Sequence, residues 1–244
     1  MKTVEVPTLD LEQSIADQGA DVIVGFDEVG RGALAGPVMV GAAAIWSRDA
    51  YDLQVPVGVA DSKLLSERKR EAMLDEVESW CAAYAVGQAS NTEIDEWGIS
   101  HALGIAALRA LRDVELQLGM GASAHAGDTT RNGEGASRWQ IGAILDGPHD
   151  YITKALDTFD APDVPVAAKV VTKIKGDRSC VTVAVASVIA KVTRDRLMVD
   201  IARGNARYAP YAWEHNKGYG SAAHRQAIAQ FGPTPLHRMS WHLV

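Results

Sequence analysis

Four acidic residues of the sequence stand beside glycines or at the ends of apolar runs, where their carboxylates could converge on one site. Asp27 and Glu28 are adjacent in GFDEVG, Asp146 follows the run IL, and Asp177 lies in KGD. Converging acids repel one another unless a cation neutralises them. Carboxylate oxygens suit Mg²⁺ and Mn²⁺, and two such ions can clamp an in-line phosphoryl displacement. The four acids are therefore candidate metal ligands, although each one alone is more typical of a turn.

The elements that would hold the first two acids are short apolar runs. Residues 22–26 and 38–45 predict two strands, and the glycine-dense segment 30–37 between them favours a hairpin. Neighbouring strand residues point to opposite faces, so Asp27 and Glu28 can serve one site only if the strand bends or ends there. The glycines that follow them permit such a bend.

The rest of the sequence alternates helical and strand patterns, which predicts an α/β fold. The predicted order is helix 66–83, strand 84–88, helix 92–118, strands 141–145 and 166–174, helix 181–204 and helix 221–231. We expect Ser66 to cap the first helix, and we interpret Thr92 and Asp95 as a capping box for the second. The start of 181–204 also alternates like a strand, but its length favours a helix.

Length and composition are those of a globular protein. Of 244 residues, 47% are hydrophobic, which is enough for a sizeable core in one large domain or two small ones. We expect a single domain spanning residues 1–244. Residues 119–138 are rich in glycine, alanine and serine and predict a surface insertion. No apolar stretch reaches the ~20 residues of a membrane-spanning helix, and the acidic start does not resemble a signal peptide. We therefore expect a cytoplasmic protein.

The charge limits the choice of partners. A formal net charge of -7 argues against a general polyanion binder, but basic clusters at 63–70, 173–178 and 191–196 leave room for a local nucleic-acid groove. Each cluster alone is more typical of a solvated surface. Cys81 and Cys180 lack the spacing of a zinc motif. No protein partner is evident from the sequence, and we expect a monomer.

The segment GFDEVGRGALAGPV, residues 25–38, closely resembles the N-terminal signature of the bacterial ribonuclease HII family. Further segments match motifs of that family in the same order. They are DSKLLSERKR (61–70), EIDEWGISHA (93–102), ILDG (144–147), KGD (175–177), ASVIAKVTRDRLM (186–198), HNKGYGS (215–221) and HRMSW (237–241). The resemblance covers nearly the whole chain outside residues 119–138.

The resemblance implies a ribonuclease H-like fold, in which helices flank a mixed central sheet and a C-terminal helical part, at about residues 205–244, contacts the substrate. The implied enzyme is an endoribonuclease that cuts the RNA strand of RNA/DNA hybrids. It would also nick duplex DNA on the 5' side of embedded ribonucleotides, leaving a 5'-phosphate and a 3'-hydroxyl. By motif, Asp27, Glu28, Asp146 and Asp177 match the catalytic carboxylates, which hold two Mg²⁺ or Mn²⁺ ions.

The resemblance also implies substrate-binding residues. Gly30-Arg31-Gly32 resembles the family's ribose-reading motif, in which glycine lets the main chain approach the 2'-hydroxyl. Tyr219 matches the tyrosine that stacks on the sugar after the ribonucleotide. Lys63, Ser187 and Lys191 match positions near the substrate phosphates. Lys191 is explained equally well as an ion-paired residue of a helix.

The sequence departs from the family pattern at two places. Pro148 stands where an asparagine or lysine often follows the third acidic motif, and Val181 stands where a proline usually begins a helix. Neither change removes a carboxylate. We expect them to bear on rate or metal preference rather than on the reaction itself.

Three other interpretations remain open. The related ribonuclease HIII type carries an extra N-terminal domain, for which little chain precedes Asp27. A nucleic-acid-binding module with a decayed site would be expected to lack one or more of the four carboxylates. An unrelated metal-dependent phosphohydrolase would explain the acids but not the GRG motif together with Tyr219, and activity on simple phosphate esters would reveal it.

Overall fold

A mixed sheet forms the centre of the structure, a computed structural model that describes residues 6–121 and 139–244. The strands of this part are β1 (Val22–Val29), β2 (Val38–Trp46), β3 (Ala83–Ala89), β4 (Ile141–Asp146) and β5 (Lys169–Lys173). They lie in the order β3-β2-β1-β4-β5. The pairs β3–β2 and β2–β1 are antiparallel, whereas β1–β4 and β4–β5 are parallel. The predicted mixed sheet and the hairpin of its first two strands are confirmed.

Helices flank this sheet. In the described residues they are α1 (Asp10–Asp17), α2 (Glu67–Trp80), α3 (Asn91–Trp97), α4 (Ile99–Gln117), α5 (Ile152–Leu156), α6 (Gly176–Ser179), α7 (Val181–Gly204), α8 (Trp213–Asn216) and α9 (Ala222–Phe231). Short 3-10 turns lie at Ser47–Asp49, Ser62–Leu64 and Ala206–Tyr211. None of these helices is long and apolar enough to cross a membrane. Most of the predicted insertion, residues 122–138, lies outside the described residues.

Helix α7 packs directly on one face of β1 and β2. A Cβ atom added to Gly25 would lie 2.3 Å from the main chain of Thr182, and one added to Gly41 would lie 2.5 Å from the carbonyl oxygen of Ala186. Only glycine permits so close an approach. The two strand glycines therefore set the distance at which α7 presents Ser187 to β1.

Helix α4 covers the opposite face of the sheet. Its buried residues Leu103, Ala107 and Leu111, which the sequence predicts to share one face, pack in the same apolar cluster as Val24 and Phe26 of β1. Alternate residues of β1 thus face different helices, as strand geometry requires. This alternation decides where the two adjacent acids of β1 point.

The predicted capping box at Thr92 and Asp95 is wrong. The cap lies two residues earlier, where the Ser90 hydroxyl accepts from Glu93 N and the Glu93 carboxylate accepts from Ser90 N. Asp95 instead accepts hydrogen bonds from the main-chain N–H groups of Met239 and Ser240. The predicted helix is also divided, because Gly98 adopts φ +79° between α3 and α4. The first predicted helix ends at Trp80 rather than near residue 83.

Helix α1, which the sequence analysis did not foresee, supports the start of α7. The fully buried Glu12 carboxylate accepts hydrogen bonds from the main-chain N–H and the hydroxyl of Thr182, 2.9 Å each. Val181 N donates to Thr8 O at 3.2 Å. A proline at this position has no N–H, so Val181 gains a bond to the N-terminal segment that the family's usual residue could not make.

The C-terminal residues form a small core of their own against the loop between β1 and β2. Trp213, Tyr211 and Ile228 pack there with Met198 of α7 and Leu34 of the loop. Leu34 N donates to Gly218 O at 2.8 Å, and isolated bridges pair Ala33 with Tyr219 and Ala35 with His237. The predicted C-terminal helical part is confirmed, and it is bonded to the loop that follows the first two acids.

One buried carboxylate outside this region generates a stability prediction. Glu115 of α4 has no exposed surface, and one of its oxygens accepts from Val166 N at 3.0 Å. The other oxygen has no hydrogen-bond partner within residues 6–121 and 139–244. Burial raises its pKa to about 8. Between pH 4.5 and 8 the folded state binds more protons than the unfolded state, so this group makes stability fall as pH rises.

We therefore expect Glu115→Gln to flatten the pH dependence of stability. The parent should lose about 2 kcal/mol more of its unfolding free energy than the variant between pH 6 and pH 9, since each pKa unit is worth about 1.4 kcal/mol. Urea unfolding at the two pH values measures this difference. Equal losses in parent and variant would show that Glu115 does not titrate in this range.

Candidate active site

The adjacent acids of β1 lie where that strand extends beyond its neighbour. The pairing of β1 with β4 stops at Phe26 and Leu145, whereas its pairing with β2 continues through Val29. The strand therefore continues past Asp27 and Glu28, and it does not end there as one of the two expected arrangements required. The two side chains point to opposite faces of the sheet but remain accessible from the end that β4 leaves uncovered.

Asp27 points toward α7 and is 3% exposed. Burial raises the pKa of its carboxyl well above the usual range, and the negative charges of Glu28 and Asp146 raise it further, while Lys63 and the Ser187 hydroxyl lower it. An ionised carboxylate in this position loses water, and among the residues that the structure describes it forms no ion pair. Such a group is stabilised by any cation that reaches it.

Glu28 points toward the α4 and α5 face. Its carboxylate accepts a hydrogen bond from the buried Tyr151 hydroxyl at 3.3 Å and forms an ion pair with Arg31 at 3.2 Å. Burial, followed by the charges of Glu28 and Asp27, raises the pKa of Tyr151 well above its usual range. Tyr151 therefore remains a neutral donor that orients Glu28. The sequence offered no motif that marked it.

Asp146 and Asp177 are joined through the main chain that follows β5. Asp146 ends β4, and its carboxylate accepts from Gly176 N at 2.7 Å. Asp177 is the next residue after Gly176, and Lys175 before it adopts the left-handed φ of 59° that is uncommon outside glycine. Burial, together with the charges of Asp146 and Asp61, raises the pKa of Asp177 to about 6. The predicted third and fourth acids are therefore neighbours.

A fifth acid, Asp61, belongs to the same cluster, and the sequence analysis did not identify it as a site residue. It is 1% exposed, accepts from Lys63 N at 2.9 Å and pairs with Arg178 at 3.2 Å. Its position at the head of DSKLLSERKR was the available signal, but aspartate is also an ordinary cap for a short turn. Asp61 holds in place the segment that carries Lys63.

Lys63 supplies positive charge to the acidic cluster. Its ammonium lies 4.0 Å from Asp177, and its side chain is largely exposed. Desolvation lowers its pKa, but the charges of Asp27, Asp177, Asp61 and Asp146 outweigh that effect and raise it. The lysine therefore stays protonated and offsets part of the negative charge of these carboxylates.

A cavity of about 290 Å³ brings together six of the residues singled out from the sequence. Its lining consists of Asp27, Glu28, Val29, Ser62, Lys63, Ser187, Lys191 and Tyr219. A second cavity, of about 340 Å³, adjoins it at Glu28 and is lined also by Arg31, Asp146 and Pro148. The two cavities share Glu28, and we refer to them together as the cleft.

Two residues of α7 in this cleft already have partners. The Ser187 hydroxyl donates to Ser62 at 2.7 Å. Lys191 pairs with Asp195 at 2.7 Å and also lies 5.8 Å above the ring of Tyr219. The ion-paired interpretation of Lys191 is therefore correct, and it coexists with a position on the cleft.

The GRG loop, residues 30–32, lies beside Tyr219. Gly30 N donates to the Tyr219 hydroxyl at 3.0 Å. Gly30 adopts φ +81°, and a Cβ there would lie 2.1 Å from the Arg194 guanidinium, so the fold itself requires glycine. Around Gly32, by contrast, the space is open. The fold gives no reason for the second glycine.

The chemistry of the cluster fits divalent cations. Its donors are carboxylate oxygens, Asp27 is desolvated, and the acids raise one another's affinity for positive charge. Within residues 6–121 and 139–244, no three acidic, histidine or cysteine side chains converge closely enough to form a ready-made metal cage. The fit therefore lies in donor type and charge.

Comparison with known proteins assigns the family. A family model described as Ribonuclease HII matches residues 24–122 and 149–244. The chain belongs to the ribonuclease HII family. The Ribonuclease HII of Streptomyces avermitilis is 41% identical over 238 residues, which are 97% of this chain and 84% of the relative. That of Thermosynechococcus vestitus is 40% identical over 230 residues, 94% of this chain and 88% of the relative. The predicted family and enzyme class, a ribonuclease, are confirmed.

Solved structures share the ribonuclease HII fold. The ribonuclease H2 of Pyrococcus horikoshii has a TM-score of 0.61 and 24% identity, and covers 91% of this chain and 94% of its own. The RNase HII of Archaeoglobus fulgidus, solved in a complex with PCNA, has a TM-score of 0.60 and 24% identity, with coverage of 91% and 96%. Bst-RNase HIII in complex with Mn²⁺ has a TM-score of 0.55 and 21% identity, with coverage of 88% and 72%. At these identities the likeness establishes the fold alone.

The other departure from the ribonuclease HII pattern lies at the rim of the cleft. Pro148 is exposed beside Gly147, which adopts φ +95° directly after Asp146. Within the described residues, the Asp146 carboxylate accepts its hydrogen bond from Gly176 N and not from residue 148. The fold around the third acid is thus compatible with proline.

The repulsion around Asp27 generates a stability prediction for this ribonuclease HII. We expect Asp27→Asn to raise the unfolding free energy by about 1 kcal/mol in chelator at pH 8, because the amide removes a buried charge that neighbouring acids repel. Chemical unfolding measures the difference. Asp75→Asn, on the exposed face of α2, is the matched control and should change stability little. A destabilised Asp27→Asn protein would mean that the carboxylate is satisfied without a cation.

Proposed function

We propose that this chain hydrolyses the RNA strand of RNA/DNA hybrids and nicks duplex DNA on the 5' side of single embedded ribonucleotides. Family membership supports ribonuclease activity, and the finer substrate choice rests on the cleft. The observation that carries the proposal is the placement of an acidic cluster and the GRG loop with Tyr219 along one cleft. The first arrangement suits phosphodiester hydrolysis and the second suits recognition of a sugar.

The acidic cluster supports the catalytic part of the proposal. Asp27, Glu28, Asp146 and Asp177 would hold two divalent cations, Mg²⁺ or Mn²⁺, which when bound activate water and stabilise the charge of the displaced oxygen. Lys63, on the exposed side of the cluster, would attract the phosphate and offset its charge near the acids. The expected products are a 5'-phosphate and a 3'-hydroxyl.

The GRG loop supports the substrate choice. Open space at Gly32 would let a sugar approach the main chain, whose N–H and C=O groups can pair with a 2'-hydroxyl as donor and acceptor. Tyr219 is half-buried, and its hydroxyl is held by Gly30 N, so its ring has a fixed position beside this loop. With its ring fixed there, Tyr219 would stack on a neighbouring sugar only when a ribose lies against the GRG loop.

Net charge bears on how the substrate binds. The chain carries a net charge of -7, so long-range attraction to nucleic acid is weak and contacts must be local. Ser187 and Lys191 would meet phosphates from the α7 side of the cleft. We expect binding that depends strongly on the ribonucleotide and weakly on the flanking DNA. The expectations of a cytoplasmic monomer with one catalytic domain remain predictions.

Cleavage of a duplex DNA that carries one ribonucleotide tests the proposal. With Mg²⁺ or Mn²⁺ we expect a single nick on the 5' side of the ribonucleotide, which chelator abolishes. Asp27→Asn should lower kcat/KM at least about a hundredfold, the scale of losing a charged group from a hydrolytic site, whereas Asp75→Asn should cleave as the parent does. Mapping the product ends on a sequencing gel locates the nick, and initial cleavage rates give kcat/KM for each variant.

Other outcomes of the same assay point elsewhere. Cleavage of long hybrids alone would keep the ribonuclease and reject the reading of single ribonucleotides. Binding without any cleavage would favour a nucleic-acid-binding module. Full activity of Asp27→Asn would reject the assigned carboxylates.

Tyr219 generates a separate prediction. Tyr219→Ala should lower kcat/KM on the single embedded ribonucleotide about tenfold or more, because loss of one stacking contact is worth about 1–3 kcal/mol. Tyr219→Phe should fall between parent and alanine variant, since it keeps the ring and loses the bond from Gly30 N. Tyr51→Phe, which removes an exposed hydroxyl bonded to Asp17, is the control. An unchanged rate for Tyr219→Ala would refute the stacking role.

A further inference from the structure

The proposed ribose-binding region has two halves, the GRG loop and Tyr219. Two adjacent buried residues of the C-terminal segment (residues 234–241) support these halves from the side away from the cleft. His237 and Arg238 each have no exposed surface. Neither can therefore touch a substrate, and any effect they have on it must pass through other residues. Their side chains lead in different directions, one toward the GRG loop and the other toward Tyr219.

Arg238 holds the main chain of the GRG loop. Its guanidinium donates to Gly30 O at 2.7 Å, to Arg31 O at 2.9 Å and to Gly36 O at 3.2 Å. Bonds from a charged donor to carbonyls in a dry interior are among the stronger hydrogen bonds. The loop contains two glycines, whose main chain is flexible unless it is held. The guanidinium supplies that restraint on its carbonyl side.

His237 reaches Tyr219 through His224. Tyr219 O accepts from His224 Nδ1 at 2.9 Å, which leaves His224 Nε2 as an acceptor for Trp213 Nε1 at 3.0 Å. His237 Nε2 lies 3.1 Å from the same His224 nitrogen. Thr234 N donates to His237 Nδ1 at 2.8 Å, so a neutral His237 carries its proton on Nε2. The His237 and Trp213 N–H groups then share the single lone pair of His224 Nε2. The bonds assign one tautomer to each ring.

These contacts close a ring around the ribose-binding region. On one side, Gly30 N donates to the Tyr219 hydroxyl and so links the GRG loop to Tyr219. On the other side, the loop is held by Arg238 and Tyr219 is reached through His224 and His237, and a peptide bond joins His237 to Arg238. The segment itself is fixed, because Asp95 accepts from Met239 N and Ser240 N at 2.8 and 3.0 Å. A displacement of the segment would therefore move the GRG loop and Tyr219 together.

We propose that His237 and Arg238 are positioning residues for ribonucleotide recognition, which set the GRG loop and Tyr219 at the spacing that one ribose requires. The inference rests on the proposed function. A purely structural role would change stability and all nucleic-acid binding alike. A positioning role changes the preference for a ribonucleotide while contacts to the flanking DNA persist.

The test compares the binding of two duplexes by cleavage-inactive protein. In an Asp27→Asn background, fluorescence anisotropy gives Kd for a duplex DNA with one ribonucleotide and for the same duplex made of DNA alone. The ratio of the two Kd values is the ribonucleotide preference. The variants are Arg238→Lys, which keeps charge but loses the planar fork of donors, and His237→Gln. Arg109→Lys is the control, because Arg109 also donates to a main-chain carbonyl, that of Gln88, on β3.

We expect Arg238→Lys and His237→Gln each to lower the preference about fivefold or more, which is the scale of one weakened contact. Affinity for the all-DNA duplex should stay within about twofold, and Arg109→Lys should keep the parent's preference. Thermal unfolding selects the folded variants, and the two positions test the ring independently if one variant does not fold. An unchanged preference, or an equal loss on both duplexes, would overturn the inference. No preference in the Asp27→Asn protein itself would reject the proposed function, and the inference with it.

Discussion

The structure is organised around the mutual repulsion of acids that the fold forces together at one end of its sheet. Asp27, Glu28 and Asp146 reach that end on two neighbouring parallel strands, and Asp177 is brought there through the bond from Gly176 N to Asp146. Burial keeps water away from Asp27 in particular, and Lys63 offsets only part of the negative charge. Packing elsewhere must supply the free energy that holds this arrangement, and the close contact of α7 with the glycines of β1 and β2 is part of that packing.

The C-terminal part serves the other end of the cleft. Its small core lies against the loop between β1 and β2, so the residues that would read a sugar are positioned by a segment far away in sequence. The same loop begins two residues after the acids. The proposed catalytic and recognition groups are thus linked by a few residues of main chain, and a shift of the loop would alter both. This linkage is the physical basis on which we propose that two fully buried side chains influence substrate choice.

Local patterns in the sequence predicted most elements, because apolar periodicity reports burial directly: β2, β4 and α7 lie where the pattern placed them, whereas α2 is shorter and β1 longer than predicted. Capping was harder, because Ser90, Thr92 and Asp95 are all suitable residues and only tertiary contacts show that Asp95 binds the C-terminal segment. The four acids were found by motif, yet Asp61 and Tyr151 were not. Their roles depend on contacts between distant segments, which spacing within one segment does not reveal.

Direct binding of Mn²⁺ tests the central claim, that repulsion at the end of the sheet is relieved by divalent cations. Isothermal titration of Mn²⁺ into metal-free protein, compared with Asp146→Asn, measures it without any substrate. The account predicts saturable binding by the parent that is weakened at least about tenfold in the variant, because one charged ligand is lost. Equal binding by parent and variant, or no binding by the parent, would contradict it.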